Sequence, residues 1–132
     1  MGGLMNDYEF LTLVQKLPVA IFRCSKNPGR EVDFLNNGIF HVSGYLLSYF
    51  TGDPPHDYTA IIHPEDREIR LNTIINRARQ GKSYIVEYRI FHANGNLIWV
   101  QEEGLPIKEE KHPIFTGAIF DITHKRKVLE TF

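Results

Sequence analysis

Apolar and polar positions alternate between Tyr84 and Ile107. Tyr84, Val86, Tyr88 and Ile90 fall on one face of an extended segment, and Glu87 and Arg89 on the other. Ala93-Asn94-Gly95-Asn96 interrupts the run and Leu97-Ile98-Trp99-Val100-Gln101 resumes it. Asn94-Gly95 between two arms rich in β-branched and aromatic residues predicts a hairpin with a tight primed turn, because both residues tolerate positive φ. The hairpin is expected at the centre of an antiparallel sheet. Near the start of the chain the period changes. Phe10, Leu13, Val14 and Leu17 recur at helical spacing, with Asn6 or Asp7 as cap and Pro18 as stop, so a helix is expected to about Lys16. Leu4, Tyr8 and Leu11 make a second stripe on an adjacent face. That suits either a wide core-facing side or contact with a second body.

The rest of the chain falls between these two segments and after them. Val19 to Cys24 and Glu31 to Leu35 read as a first hairpin around a turn at Lys26-Asn27-Pro28-Gly29. From Asn36 to Pro55 the pattern is short and helical, punctuated by Gly38, Gly44 and Gly52, and Tyr58 to Ile62 fits one more helical turn. His63-Pro64-Glu65-Asp66 opens a longer helix: proline costs no hydrogen bond at the first position, and the two acids lie at the positive end of the dipole. Leu71, Ile74, Ile75 and Ala78 predict its buried stripe, with Arg67, Arg70, Arg77 and Arg79 mostly off it and Gly81 closing it. A polar connection at Lys108 to Pro113 leads to a last strand, Ile114 to Phe120, then Asp121-Ile122-Thr123 and a basic helical start at His124 to Lys127. Helix, two strands, a helical block and three strands define an α+β fold, an antiparallel sheet with helices on one face.

Composition narrows the function classes. The chain has 132 residues, 42% of them hydrophobic and 23% charged, which suits one soluble domain. A net charge of −1 gives no pull toward nucleic acid or anionic membrane. No apolar run approaches the roughly 18 residues of a membrane span, and the first residues lack the pattern of a signal peptide. Cys24 is the only cysteine, so a thiolate metal cage is excluded and a reducing cytoplasm is the expected setting. The six histidines are scattered, with no pair at metal-ligand spacing. Glu65-Asp66, Glu102-Glu103 and Glu109-Glu110 are adjacent pairs, read as solvated charge, since neighbours in a strand point to opposite faces. No GxSxG, GxGxxG or Walker-type loop occurs, and no residue set argues for catalysis.

Several short motifs in fixed order carry a family likeness. Phe34-Leu35-Asn36, Gly44-Tyr45, Ile62-His63-Pro64-Glu65-Asp66, Glu87-Tyr88-Arg89-Ile90, Asn94-Gly95, Trp99-Val100 and Gly117 through Asp121-Ile122-Thr123 resemble the PAS sensory domain over about Leu17 to Arg126. The likeness is strongest to the subclass with the Trp on the strand after the turn. It implies a five-stranded antiparallel sheet of order 2-1-5-4-3, with helices over one face and commonly a pocket beneath the long helix. It also implies a sensor or dimerisation module joined to an effector domain, often a histidine kinase or a cyclic-dinucleotide enzyme. On this basis 1–17 is a leader with an amphipathic helix, 18–122 the PAS domain and 123–132 the start of a signalling helix.

The resemblance also bears on cofactors. Blue-light flavin binders of the family resemble one another in a Gly-x-Asn-Cys-Arg stretch, where this chain has Tyr58-Thr-Ala-Ile-Ile62. Haem-binding members commonly place a histidine on the long helix, and 65–80 contains none. Neither cofactor is expected, while an unidentified small organic ligand fits. The expected pocket residues are Phe40, Tyr45, Leu71, Ile74, Ile75, Tyr88, Ile90, Trp99 and Gln101. The same residues could instead fill a core, which would make the domain a pure interaction or dimerisation module. A buried void above roughly 300 Å³ would favour the ligand reading, and a close-packed interior the other. A homodimer through Leu4, Tyr8 and Leu11 is expected, and Asp121, Ile122 and Thr123 are the expected signal junction.

Overall fold

The computed structural model of the chain describes residues 6–24, 32–108 and 113–131. Helix α1 runs Asp7–Lys16, with the Asn6 side chain accepting from the Glu9 amide. Strand β1 is Ala20–Cys24 and β2 is Phe34–Leu35. Two short helices follow, α2 (Gly38–Ser43) and α3 (Leu47–Thr51), then a single 3-10 turn at Tyr58–Ile61 and the long helix α4, Pro64–Arg79. Strands β3 (Tyr84–Phe91), β4 (Leu97–Lys108) and β5 (Pro113–Asp121) lead into α5, Thr123–Thr131. The sheet is antiparallel throughout, in the order β2-β1-β5-β4-β3. Helices α2 and α4 and the 3-10 turn cover its inner face, where Phe22, Tyr88, Ile90, Val100 and Ile119 join Ile39, Tyr58 and Ile74 in the core.

Local chemistry accounts for most element ends. His63 accepts from the Glu65 amide and Pro64 follows at the first helical position, so α4 starts where its proline needs no donor. At the far end Gly81 takes φ +67°, the conformation that stops a helix. Gly95 has φ +92°, but Asn94 does not adopt positive φ. The expected primed turn is therefore a wider loop, in which the Gly95 amide bonds the His92 carbonyl and the His92 amide bonds the Asn96 carbonyl. The hairpin is a flank of the sheet rather than its centre: β5 is central and β3 is an edge. The edge groups of β3 are not left bare. Ile62 bridges to Ile90, and the His63 amide bonds the Arg89 carbonyl at 2.9 Å.

Two apolar stripes lie differently from their sequence pattern. In α1 only Val14 is buried, while Tyr8, Phe10, Leu11 and Leu13 are all exposed. The helix meets the body at its last turn alone, where buried Asn36 donates to the Val14 carbonyl at 2.7 Å and accepts from the Ile21 amide at 2.7 Å. In α4 the fully buried residues are Arg70 and Ile74; Leu71 is exposed and Ile75 and Ala78 are half-buried. An arginine with a buried partner occupies the inward position that periodicity alone gave to Leu71. Leu4, the turn at Lys26 to Gly29 and Glu109-Glu110 lie outside the described residues.

Candidate functional site: a buried polar cluster and the α5 junction

The inner face carries a charge where the pattern promised only apolar residues. On β4, Ile98, Val100, Glu102 and Gly104 point inward, and Glu102 is 0% exposed. One carboxylate oxygen accepts from Arg70 Nε at 3.0 Å and from the Tyr88 hydroxyl at 2.7 Å. The other accepts from the Tyr84 hydroxyl at 2.5 Å. The Tyr88 hydroxyl also bonds that of Tyr58 at 2.9 Å, and the Arg70 guanidinium lies over the rings of Tyr58 and Tyr88. Gly104 makes this possible, because a Cβ there would strike the Tyr84 ring.

Burial sets the protonation of the group. It pushes the Tyr58, Tyr84 and Tyr88 hydroxyls above the usual phenol range, and the charge of Glu102 pushes them further, so all three are donors. Burial pulls the Arg70 guanidinium down, but the adjacent Glu102 more than reverses this and raises it. Arg70 stays a cation. A buried pair of this kind adds little net stability over an apolar isostere, but removing one partner strands the other.

The expected pocket residues are dispersed. Ile74, Tyr88 and Ile90 are buried in the core, and Tyr45 and Ile75 are half-buried. Phe40 and Leu71 point outward, 49% and 40% exposed. Trp99 and Gln101 are on the opposite face of the sheet, because Arg89 pairs with Trp99 and Glu87 with Gln101. The facing of β4 is thus one residue out from the expectation, which reverses every side chain of the strand. A small cavity of about 20 Å³ does exist beneath the helices. Its walls are Phe22, Leu35, Ile39, Phe50 and Ile119, with Val32, His56, Tyr58 and Arg70 completing it. None of the nine expected residues lines it.

The junction residues do meet. The Asp121 carboxylate accepts from the Thr123 amide at 2.8 Å. Buried Ile122 donates its amide to the Trp99 carbonyl at 2.9 Å, and the Thr123 hydroxyl accepts from the Trp99 amide at 3.1 Å. The first turn of α5 is therefore tied to the backbone of β4. One turn further, Arg126 stacks on the Trp99 ring and lies 3.0 Å from a Glu87 carboxylate oxygen. Sequence reasoning missed Arg70, Glu102, Tyr58 and Tyr84 as one buried system, and Glu87 and Arg126 as a second on the outer face. The available signal was Glu102 two residues from Val100 and from Gly104, facing Tyr84 and Tyr88 across the hairpin; it needs the register to be read.

The sheet order, the helices over one face and the α5 junction together define a class of sensory α+β domain. The PAS fold family model matches residues 32–119, and the chain belongs to that family. It is 29% identical over 132 residues to a methyl sulfide methyltransferase-associated sensor of Methanosarcina acetivorans, covering 98% of this chain and 13% of that protein. It is 35% identical over 81 residues to a blue-light-activated histidine kinase of Brucella anthropi, covering 58% of this chain and 16% of the kinase. The N-terminal domain of a diguanylate cyclase with a PAS/PAC sensor from Marinobacter aquaeolei superposes with a TM-score of 0.66 at 17% identity, over 82% of this chain and 98% of that domain. This last likeness is one of fold. The chain spans less than a fifth of either curated relative. Among the described residues no helix is long and apolar enough to cross a membrane.

Proposed function

We propose that the chain is the non-catalytic signal-input domain of a larger cytoplasmic signalling protein, and that it acts by resetting the start of α5. The observation that carries this is the double attachment of Ile122 and Thr123 to the Trp99 backbone, which makes the onset of α5 depend on the start of β4. A histidine kinase or a cyclic-dinucleotide enzyme is the effector this reading favours, in keeping with the named relatives. The reading is a relay through protein contacts rather than a preloaded ligand sensor. A cavity of about 20 Å³ holds about one water, far below the roughly 300 Å³ of an ordinary ligand pocket. The residues do not fit a flavin that forms a cysteinyl adduct: the cavity wall has no thiol, and Cys24 is buried in β1. They do not fit a haem held from the long helix, since no histidine lies on α4, and the cavity beside His56 is about 20 Å³.

The domain dimerises in this reading through α1, whose exposed Tyr8, Phe10, Leu11 and Leu13 form an apolar face with no cover in the monomer. Small-ligand sensing is the second reading, supported by a mostly apolar cavity wall that includes Tyr58 and Arg70. The test is Asp121→Ala in the intact signalling protein, with native mass spectrometry of the isolated chain. Altered effector output with a folded, dimeric, ligand-free domain supports the relay. Output unchanged from the parent refutes it, and a stoichiometric copurifying molecule selects the second reading.

A further inference from the structure

On the outer face of the sheet, two guanidinium groups meet one indole. Arg126 of α5 lies 3.8 Å from the centroid of the Trp99 ring, and Arg89 of β3 lies 5.6 Å from it. Each arginine has a principal acid, with exposed Glu65 also 3.3 Å from Arg89 and Lys125 also 4.0 Å from Glu87. Asp66, in the first turn of α4, accepts from the Arg89 amide at 2.8 Å and from its guanidinium at 2.9 and 2.8 Å. Glu87 stands 3.0 Å from Arg126 Nε, two residues from Arg89 and on the same face of β3. That ion pair is not a well-aligned hydrogen bond, since Arg126 Nε has no hydrogen-bond partner among the described residues. The stacking on Trp99 therefore positions Arg126 more than Glu87 does.

The edge geometry brings these groups together. The Arg89 amide and carbonyl both point away from β4, to Asp66 and to the His63 amide. Arg89 and Trp99 are thus a non-hydrogen-bonded cross-strand pair, the kind whose side chains approach most closely. Helix α4 packs on the inner face, but its first turn reaches round the β3 edge to hold an outer-face arginine. The neutralisation of Arg89 by Asp66 lets a second cation, Arg126, lie over the same ring.

We propose that Asp66, Arg89, Trp99 and Arg126 form a latch that couples the first turn of α4 to the docking of α5. While Asp66 holds Arg89, Arg126 rests on Trp99 with Glu87 as its counter-charge and α5 stays on the sheet. When the Asp66 contact is broken, Arg89 keeps only the exposed Glu65 carboxylate, 3.3 Å from its guanidinium, and its charge beside Arg126 is poorly neutralised. It repels Arg126 and draws Glu87 away from it, and α5 is released. The inference rests on α5 being the output helix, but the latch itself is measurable without an effector.

The experiment is hydrogen–deuterium exchange of the 132-residue chain, read on the 122–131 segment, with the fluorescence of Trp99, the only tryptophan, as a second signal. Asp66→Asn should speed exchange of α5 by about three- to tenfold, the loss expected for a partly exposed cation–π contact, with the β1 and β5 amides unchanged. Adding Arg89→Gln should restore exchange to near the parent, because the competing cation is gone. A merely structural role predicts the double variant to be at least as loose as the single. Glu87→Gln, away from the α4 turn, keeps the test open should Asp66→Asn fail to fold: it too should loosen α5, and Arg89→Gln should restore it. Parental exchange in the single variants, or no rescue by Arg89→Gln, overturns the latch. Loosened and rescued α5 with unchanged output in the intact protein upholds the latch and refutes the output reading alone.

Discussion

Glu102 and Glu103 are neighbours in β4, and the pleat turns them into different environments. Glu102 is sealed among Arg70, Tyr84 and Tyr88, while Glu103 is exposed and accepts a hydrogen bond from Gln101 Nε2 at 2.6 Å. The same contrast divides the whole strand. Its inner face joins β4 to α4 through a buried set of charges and hydroxyls. Its outer face joins β4 to α5 through a half-exposed indole and two arginines. A sealed polar set is costly to break and so resists change, whereas a solvated one is cheap to rearrange. That difference is what a relay needs: a rigid body on one side of the sheet and a movable contact on the other.

Unpairing the interior should produce the largest effect. Glu102→Ala removes the buried counter-charge of Arg70 and should cost about 3–5 kcal/mol, whereas Glu103→Ala should stay within about 0.5 kcal/mol of the parent; urea unfolding of the two checks the ratio. Equal losses would erase the distinction between the faces. Tyr84→Phe removes one donor to a charged acceptor and should cost about 1.5–3 kcal/mol. A smaller effect is expected from acid. The hydrogen bonds from Arg89 hold the Asp66 carboxyl below its ordinary value of 3.8. Its contribution is therefore complete above that ordinary value and is lost as the pH falls through the lower folded one. Trp99 emission should shift only below about pH 3.8, and Asp66→Asn should remove that transition.

Much of the fold was readable because local signals agreed with one another. The helix start at His63-Pro64-Glu65-Asp66, the two hairpins around a helical block and the α5 onset at Thr123 follow from capping and turn chemistry confined to a few residues. The interior was not readable for the opposite reason. Glu102 and Arg70 break the apolar pattern of their elements, and each makes sense only beside the other, 32 residues away in sequence. Trp99, large and apolar, looked like core; the inward charge at Glu102 and the outward indole together shifted the facing of β4 by one residue. The apolar face of α1 was legible as a pattern, but no pattern shows that only Val14 of that helix is buried.

Arg126→Gln tests the division between the two faces most directly, with the urea midpoint and α5 exchange measured on the same sample. The account predicts a midpoint close to the parent's and α5 amides exchanging about three- to tenfold faster, with the β3, β4 and β5 amides still protected. A midpoint that falls as far as it does for Glu102→Ala, or α5 exchange that does not change, would contradict it.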